Sequence, residues 1–263
     1  QLIRLSRELH KQRNANPDVA APTGFRMPQI QDQYAAWQHC NRFTAASRAD
    51  VERRLTGASA LPLLSVVMPV YNPPLEFLRQ AVDSLQAQVF TNWELCVADD
   101  ASTIDGVHDY LRELAANEPR VRLCLRKDNG NISLATNSAA ELARGEFLVF
   151  LDQDDLLSPD ALAEIALAAA AQPDADILYS DDDKVDVDGH RFAPQFKPDW
   201  SPELLLGYMY FSHVFAVRRV LFEKLGGMRV GFEGSQDYDF ALRASEQARA
   251  SAQIPQVLYR WRV

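Results

Sequence analysis

The sequence predicts an α/β fold: a mostly parallel sheet flanked by helices, with an irregular layer built onto it and a helical arm in front. Three observations carry this. Between Leu61 and Asp181, short apolar runs alternate with segments whose apolar residues recur at helical spacing. The runs are continuous rather than alternating, as expected for strands buried on both faces. After Asp181 the rhythm gives way to a Pro-punctuated stretch with one hairpin signal. A parallel sheet covered by helices on both faces satisfies the strand–helix alternation.

The elements follow in order. Residues 1–60 are rich in Arg, Gln, Asn and Ala and are broken by Pro17, Pro22 and Pro28. Helical pieces over Leu2–Gln12 and Gln31–Thr56 make this region a helical arm or linker. LLSVVMPV (63–70) is the first strand, and Leu75, Leu78, Val82 and Leu85 mark a helix after it. WELCVAD (93–99) is the second strand, followed by a helix through Val107, Leu111 and Leu114. VRLCLR (121–126) is the third, and Ile132, Ala135, Ala139 and Leu142 mark the next helix. EFLVFLD (146–152) is the fourth strand. Ser158 is an N-cap with Pro159 at the first helical position. ADILYSD (175–181) is the fifth. Asp188-Gly189 reads as a hairpin turn, and Pro194, Pro198 and Pro202 punctuate the loops beyond. A strand over 212–219 and a helix over Asp237–Gln247 complete the main domain, 61–263.

Bulk composition narrows the function. The 263 residues are 47% hydrophobic and carry a net charge of −9, which argues against a nucleic-acid partner. A local anion site remains compatible with that charge, because a bound cation inverts the field of a few carboxylates. Cys40, Cys96 and Cys124 are odd in number and form no C-x-x-C pair. Cys96 and Cys124 sit in apolar runs and are expected to be free core thiols in a reducing compartment. The chain does not begin with Met, as expected of a fragment or processed piece, and shows no signal peptide. Ala161–Ala171 is too short to span a bilayer and contains Glu164.

Ligands of parallel sheets bind beyond the carboxyl ends of the strands. Acidic residues gather at those ends: Asp99-Asp100, Asp152-Gln153-Asp154-Asp155 and Asp181-Asp182-Asp183. Any one cluster is explained by N-capping of the following helix. Three clusters on one rim repel one another unless a cation or several donors are present. An oxygen-rich site of this kind suits Mg2+ or Mn2+, and no His or Cys lies near it along the chain to favour zinc.

The ordered motifs resemble a known family. SVVMPVYN, VADDAST and NGNISLATNSAAELARGEFLVFLDQDD are similar to the inverting family 2 glycosyltransferases with the GT-A fold. YSDDDKVDVDG, FKPDWSPELLL, GFEGSQDYDFALR and IPQVLYRWR resemble the branch found in bacterial polysaccharide, O-antigen and flagellin glycosylation, much of it rhamnosyltransferase-like. The resemblance runs from about Leu63 to Val263. It implies transfer of a sugar from a UDP- or dTDP-linked donor to an acceptor hydroxyl, with inversion. It places a nucleotide-sugar-binding half at 61–155 and an acceptor-binding, catalytic-base half at 156–263.

The implied roles are these. Pro69, Val70, Tyr71 and Asn72 frame the base and ribose, and Asp99 or Asp100 bonds the pyrimidine or ribose. Asn129, Asn137 and Gln153 line the donor pocket. Asp152 touches ribose or the metal shell, and Asp154 ligates the metal. Asp237 is the catalytic base, with Asp239 solvent-facing or structural. Asp182, Lys184, Trp200, His213, Glu233 and Gln236 fall on the acceptor side, although Trp200 serves equally as packing between layers. The acceptor is a glycan, a lipid-linked sugar or a protein, and further domains of the same chain are expected. The implied location is the cytoplasm, at the inner face of the membrane where the acceptor is lipid-linked.

The pattern departs from the family at three places. Gln153 stands where relatives often have His, Asp182 where they usually have Glu, and Arg260 where they often have His. Relatives also often place a His after Tyr-x-Trp-Arg, where it can complete the metal shell, whereas this sequence closes at Val263; a weakly held or absent metal is the expectation. Two other classes compete. A degenerate, non-catalytic nucleotide-sugar-binding domain is disfavoured by the intact Asp154 and Asp237. A sugar nucleotidyltransferase is disfavoured because Tyr71-Asn72-Pro73-Pro74 replaces its Gly-rich loop.

Overall fold

The computed structural model describes residues 30–263. The helix expected over Leu2–Gln12 lies outside the described residues. The chain divides into two compact units, Gln1–Asn41 and Arg42–Val263. In the first, helix α1 (Ile30–Cys40) stacks Tyr34 on Trp37, with ring centroids 5.5 Å apart. The single helix expected over Gln31–Thr56 is two helices. The second, α2 (Ala45–Gly57), starts from its own capping box: Thr44 Oγ1 accepts Ser47 N, and Ser47 Oγ accepts Thr44 N. A reciprocal cap of this kind satisfies two orphan donors and fixes where a new helix begins.

The second unit is built on one sheet. Its strands are β1 (Leu64–Val70), β2 (Trp93–Asp99), β3 (Val121–Leu125), β4 (Phe147–Phe150), β5 (Leu156–Leu157), β6 (Ala175–Val185), β7 (Arg191–Gln195), β8 (Phe215–Arg218) and β9 (Ala250–Arg262). The order is β3-β2-β1-β4-β8-β6-β9-β5, with β7 beside β6. β3, β2, β1 and β4 are mutually parallel, and β8 is antiparallel to β4 and β6. Helices α3 (Leu75–Gln86), α4 (Val107–Asn117), α5 (Asn131–Ala140) and α6 (Ala161–Ala171) cover it, with the shorter α7 (Pro202–Gly207) and α8 (Arg219–Lys224) and the longer α9 (Gln236–Gln247). The architecture is the GT-A type α/β fold.

Strand β1 shows why its apolar run is unbroken. Val66, Met68 and Val70 enter a core shared with α3 and α6, while Val67 enters a second core with α9 and the aromatics Phe150, Phe215, Phe222 and Phe240. Both faces are dry, so apart from Ser65 at the strand start neither set of alternate positions is polar. At the strand start, buried Glu94 receives Ser65 Oγ at 2.7 Å, Arg144 N at 2.6 Å and Gly145 N at 3.2 Å. Burial works to raise the Glu94 pKa, but these donors and the Arg144 charge outweigh it and hold the carboxyl below its usual range. Gly145 is obligatory here: a Cβ would lie 2.6 Å from Leu63 O and 2.8 Å from Ser65 N.

Other boundaries differ from the sequence expectations. Ser158 does not cap α6; its Oγ donates to Asp160 Oδ1, and the helix starts at Ala161. The strand expected over 212–219 begins only at Phe215. β9 is a strand that the sequence pattern does not announce, because Pro255 interrupts it. The pairing skips there: Ser180 opposes Ile254, and Asp181 opposes Val257. A bulge is one of the few places where a sheet tolerates proline. β6 runs on to Val185, so Asp181–Asp183 lie inside a strand rather than beyond its end. All three cysteines are free. Cys96 is buried, which pushes its thiol pKa up to about 12, whereas Cys124 on the edge strand is only half-buried and Cys40 is exposed. Among the described residues, no helix is long and apolar enough to cross a membrane.

Candidate active site

Two cavities open at the carboxyl ends of the parallel strands. The first, about 320 Å3, is lined by Pro69, Val70 and Tyr71 after β1, Asp100 after β2, and Asp152, Gln153 and Asp154 after β4. Asn129, Asn131, Ile132 and Ala135 complete it from α5 and its approach. The second, about 230 Å3, shares Pro69, Ile132 and Asp152 with the first and adds Ser212, His213, Trp261, Gln236 and Asp237. Asp152 therefore sits between the cavities, and Asp237 faces the second.

Side-chain-to-backbone bonds shape the first cavity. Gln153 clamps Tyr71 in both directions, accepting Tyr71 N at 2.7 Å and donating to Tyr71 O at 3.2 Å. Asn72, at φ +49°, accepts Thr103 N and Ile104 N on Oδ1 and so fixes the loop rather than lining the cavity. Asn tolerates this left-handed conformation better than most residues. Asn129 donates to Asp100 O at 3.3 Å. The buried Asp100 carboxylate pairs with Arg126 Nε at 2.7 Å and accepts Gly130 N at 3.0 Å. Asp99 is fully buried, takes Ser102 N at 3.0 Å and faces His108 Nε2 at 2.7 Å. Of the pair, Asp100 lines the cavity and Asp99 braces the loop.

The electrostatics centre on Asp152. His213 Nε2 lies 3.5 Å from Asp152 Oδ2, and the imidazole stacks on Tyr259 with centroids 4.6 Å apart. Burial works to raise the Asp152 pKa, but His213 outweighs it and the net direction is down. For His213, burial opposes charge, yet Asp152, Asp155 and Asp237 raise its pKa above the ordinary histidine value. Asp154 is pushed up by burial and by the Asp152 charge. Asp155 is pushed up to about 7 by burial and Asp152, against Arg262 N and the Tyr259 hydroxyl, both bonded to it at 2.7 Å. Asp155 is thus a structural carboxyl behind the cavity, while Asp152 and Asp154 face into it.

The third acidic cluster does not join this rim. Asp181 accepts Lys197 N and Gln253 Nε2, Asp182 pairs with Lys197 Nζ at 2.7 Å, and Asp183 pairs with Arg191 Nε at 2.6 Å. Basic partners, rather than a cation, offset this charge. Several expected positions fall outside both cavities. Asn137 is committed to the backbone of Met228, with bonds of 2.8 Å each way. Trp200 packs on Phe211, with centroids 5.6 Å apart. Lys184 lies within β6, and Glu233 is exposed and accepts Gly231 N. Asp239 is buried between Arg229 and Arg243, so it is structural and not solvent-facing.

Sequence reasoning missed Asn131, Ile132, Ala135 and Trp261 as lining residues. Trp261 alternates with Tyr259 and shares that face of β9, a relation visible only once the strand is known. Among the described residues, the only compact His/acid triad is Asp186, Asp188 and His190 in the β6–β7 turn. Asp186 there accepts Asp188 N and His190 N at 2.9 Å each, as a turn-forming carboxylate does.

A sheet with this topology, and a cavity at its parallel strand ends walled by carboxylates, is the GT-A type architecture. The chain belongs to glycosyl transferase family 2, whose description matches residues 65–226. An uncharacterized protein, y4gI of Sinorhizobium fredii, is 46% identical over 86% of this chain and 25% of its own length. The O-antigen biosynthesis protein RfbC of Myxococcus xanthus is 42% identical over 88% of this chain and 18% of its own length. The chain therefore spans about a quarter or less of these relatives. Among solved structures, S. aureus TarS 1-349 in complex with UDP-GlcNAc superposes with a TM-score of 0.65 at 22% identity, covering 76% of this chain and 58% of that one. The mannosyltransferase PcManGT of Pyrobaculum calidifontis, in complex with GDP-Man and Mn2+, gives 0.57 at 21%, covering 82% and 63%.

Proposed function

We propose that this domain transfers a sugar, with inversion, from a UDP- or dTDP-linked donor to an acceptor hydroxyl in bacterial polysaccharide, O-antigen or protein glycosylation. One observation carries the reading: two cavities meet at Asp152, and Asp237 stands on the wall of the second. The first takes the nucleotide and the second the acceptor, so the anomeric carbon would lie at their junction. Similarity to an O-antigen biosynthesis protein, and to a fold solved with UDP-GlcNAc, supports the donor class and pathway.

Each residue then has a task. Tyr71, held by Gln153, walls the nucleotide site, and Asp100 offers its carboxylate to the base or ribose. Asp152 and Asp154 would hold Mg2+ or Mn2+. The fit is chemical: two hard-oxygen carboxylates face one cavity, and burial together with the charge of Asp152 raises the Asp154 pKa, a cost that a cation relieves. When bound, such an ion neutralises charge on the departing diphosphate. Asp237 takes the proton from the acceptor hydroxyl as that oxygen attacks, an assistance worth roughly 10² to 10⁴ in rate.

A screen of UDP-, dTDP- and GDP-sugars with Mg2+ or Mn2+, and with a chelator control, tests the proposal. A UDP- or dTDP-sugar is expected to be turned over in a metal-dependent way. Binding of these donors without turnover in the presence of acceptor glycans would mark a non-catalytic domain instead.

A further inference from the structure

Helix α5 borders both cavities. Asn131, Ile132 and Ala135 line the first, and Ile132 and Thr136 line the second. The next residue, Asn137, does neither. Its Nδ2 donates to Met228 O at 2.8 Å, and its Oδ1 accepts Met228 N at 2.8 Å. An amide side chain that pairs with both backbone groups of one residue fixes that residue in position and orientation.

The partner side is shaped to receive it. Gly227 has φ +73°, and a Cβ there would overlap Asn137 Oδ1. Arg243 of α9 closes from the other direction, donating to Gly227 O at 2.8 Å and to Leu225 O at 3.1 Å. Met228 is itself a wall of the second cavity. Beyond it the loop changes character. Val230 and Phe232 are exposed, and Gly231, Gly234 and Ser235 donate only to neighbours within the loop or at the start of α9. This loop leads into α9, whose first turn carries Gln236 and Asp237.

We infer that Asn137 is a positioning residue: through Met228 it anchors the loop that presents Asp237, and it does not touch the nucleotide sugar. The inference rests on Asp237 acting as the base under the function proposed above. It makes α5 the rigid piece that ties the donor wall to the loop leading to the base.

The test compares Asn137→Leu, which keeps shape and loses both bonds, with Gly227→Ala, which pushes on the same clamp from the other side. Transfer kcat is expected to fall roughly tenfold or more in each, the scale set by small misplacements of reacting groups. Donor Kd is expected to stay within about twofold, and Asn137→Leu/Gly227→Ala to be little worse than either single change, as for residues acting as one unit. Hydrogen exchange at the Met228 amide is expected to quicken in both, while melting stays cooperative. Loss of donor affinity in Asn137→Leu but not in Gly227→Ala would make Asn137 a donor contact and overturn the inference. Unchanged kcat in both variants, despite faster exchange, would overturn it as well. A wild type that transfers no sugar refutes the transferase reading by itself. Met228 exchange unchanged in Asn137→Leu refutes the clamp independently.

Discussion

Replacing Lys197 by Met keeps the aliphatic stem and removes only the ammonium. In the native protein that ammonium is buried, with 3% of the side chain exposed. Nζ donates to Phe211 O at 2.7 Å and His213 O at 2.6 Å, and lies 2.7 Å from Asp182 Oδ2. The substitution leaves a buried carboxylate without its cation and two carbonyls without this donor. Removing one member of a buried pair costs about 3–5 kcal/mol. At about 2–4 °C per kcal/mol for a domain of this size, a mid-range loss of ~4 kcal/mol lowers Tm by about 8–16 °C. Urea titration and thermal melting followed by circular dichroism measure both quantities. Replacing both charges, Lys197→Met with Asp182→Leu, is expected to recover most of the loss, since an apolar pair of similar volume is often neutral. A loss under about 1 kcal/mol in Lys197→Met, or a double variant no more stable than the single, would refute the reasoning. Because Lys197 holds the His213 carbonyl, the single variant is also expected to weaken transfer.

Other perturbations test other parts. Asp176 is buried beside Arg218 and Arg249; burial raises its pKa, but the arginines outweigh that and hold it low. A depressed folded pKa gives stability that is present above the unfolded value and lost as pH falls through the folded one. Asp176→Asn is therefore expected to cost about 2 kcal/mol near neutral pH, and the gap in urea midpoints is expected to close below about pH 4. Gly145→Ala drives a methyl into Leu63 O and Ser65 N and is expected to cost about 1–3 kcal/mol, read as a lower urea midpoint with an unchanged slope. A chelator is expected to abolish transfer by the wild type, Mg2+ or Mn2+ to restore it, and Asp154→Ala to lose it even with excess metal. Full transfer in the chelator would remove the metal from the account.

The parallel half of the fold was legible because both faces of its strands are dry. In WELCVAD (93–99) the apolar run Leu95–Ala98 leads into the carboxylates Asp99 and Asp100, and β2 spans Trp93–Asp99 with Glu94 buried near its start. β9 was hidden because pattern reading treats Pro255 as a breaker, whereas a register shift against β6 accommodates it. At the site, strand-end position identified Asp100, Asp152 and Asp154, which all line the first cavity. Position along the chain did not separate Asp99 from Asp100, because adjacent residues point opposite ways. Nor did it reveal that Asp181–Asp183 are offset by Lys197 and Arg191, partners that are adjacent only after folding. Asn137 was ambiguous for a related reason: its polarity suits a ligand or a backbone clamp equally, and Met228, the residue it pairs with, lies far along the chain.

The central claim is that Asp237 removes the acceptor proton at the junction marked by Asp152. The direct measurement compares Asp237→Asn with wild type, using calorimetry for donor binding and product formation for transfer. The account expects donor affinity within about twofold and transfer reduced by roughly 10² to 10⁴. Transfer within a few-fold of wild type, or donor affinity falling as far as transfer does, would contradict it.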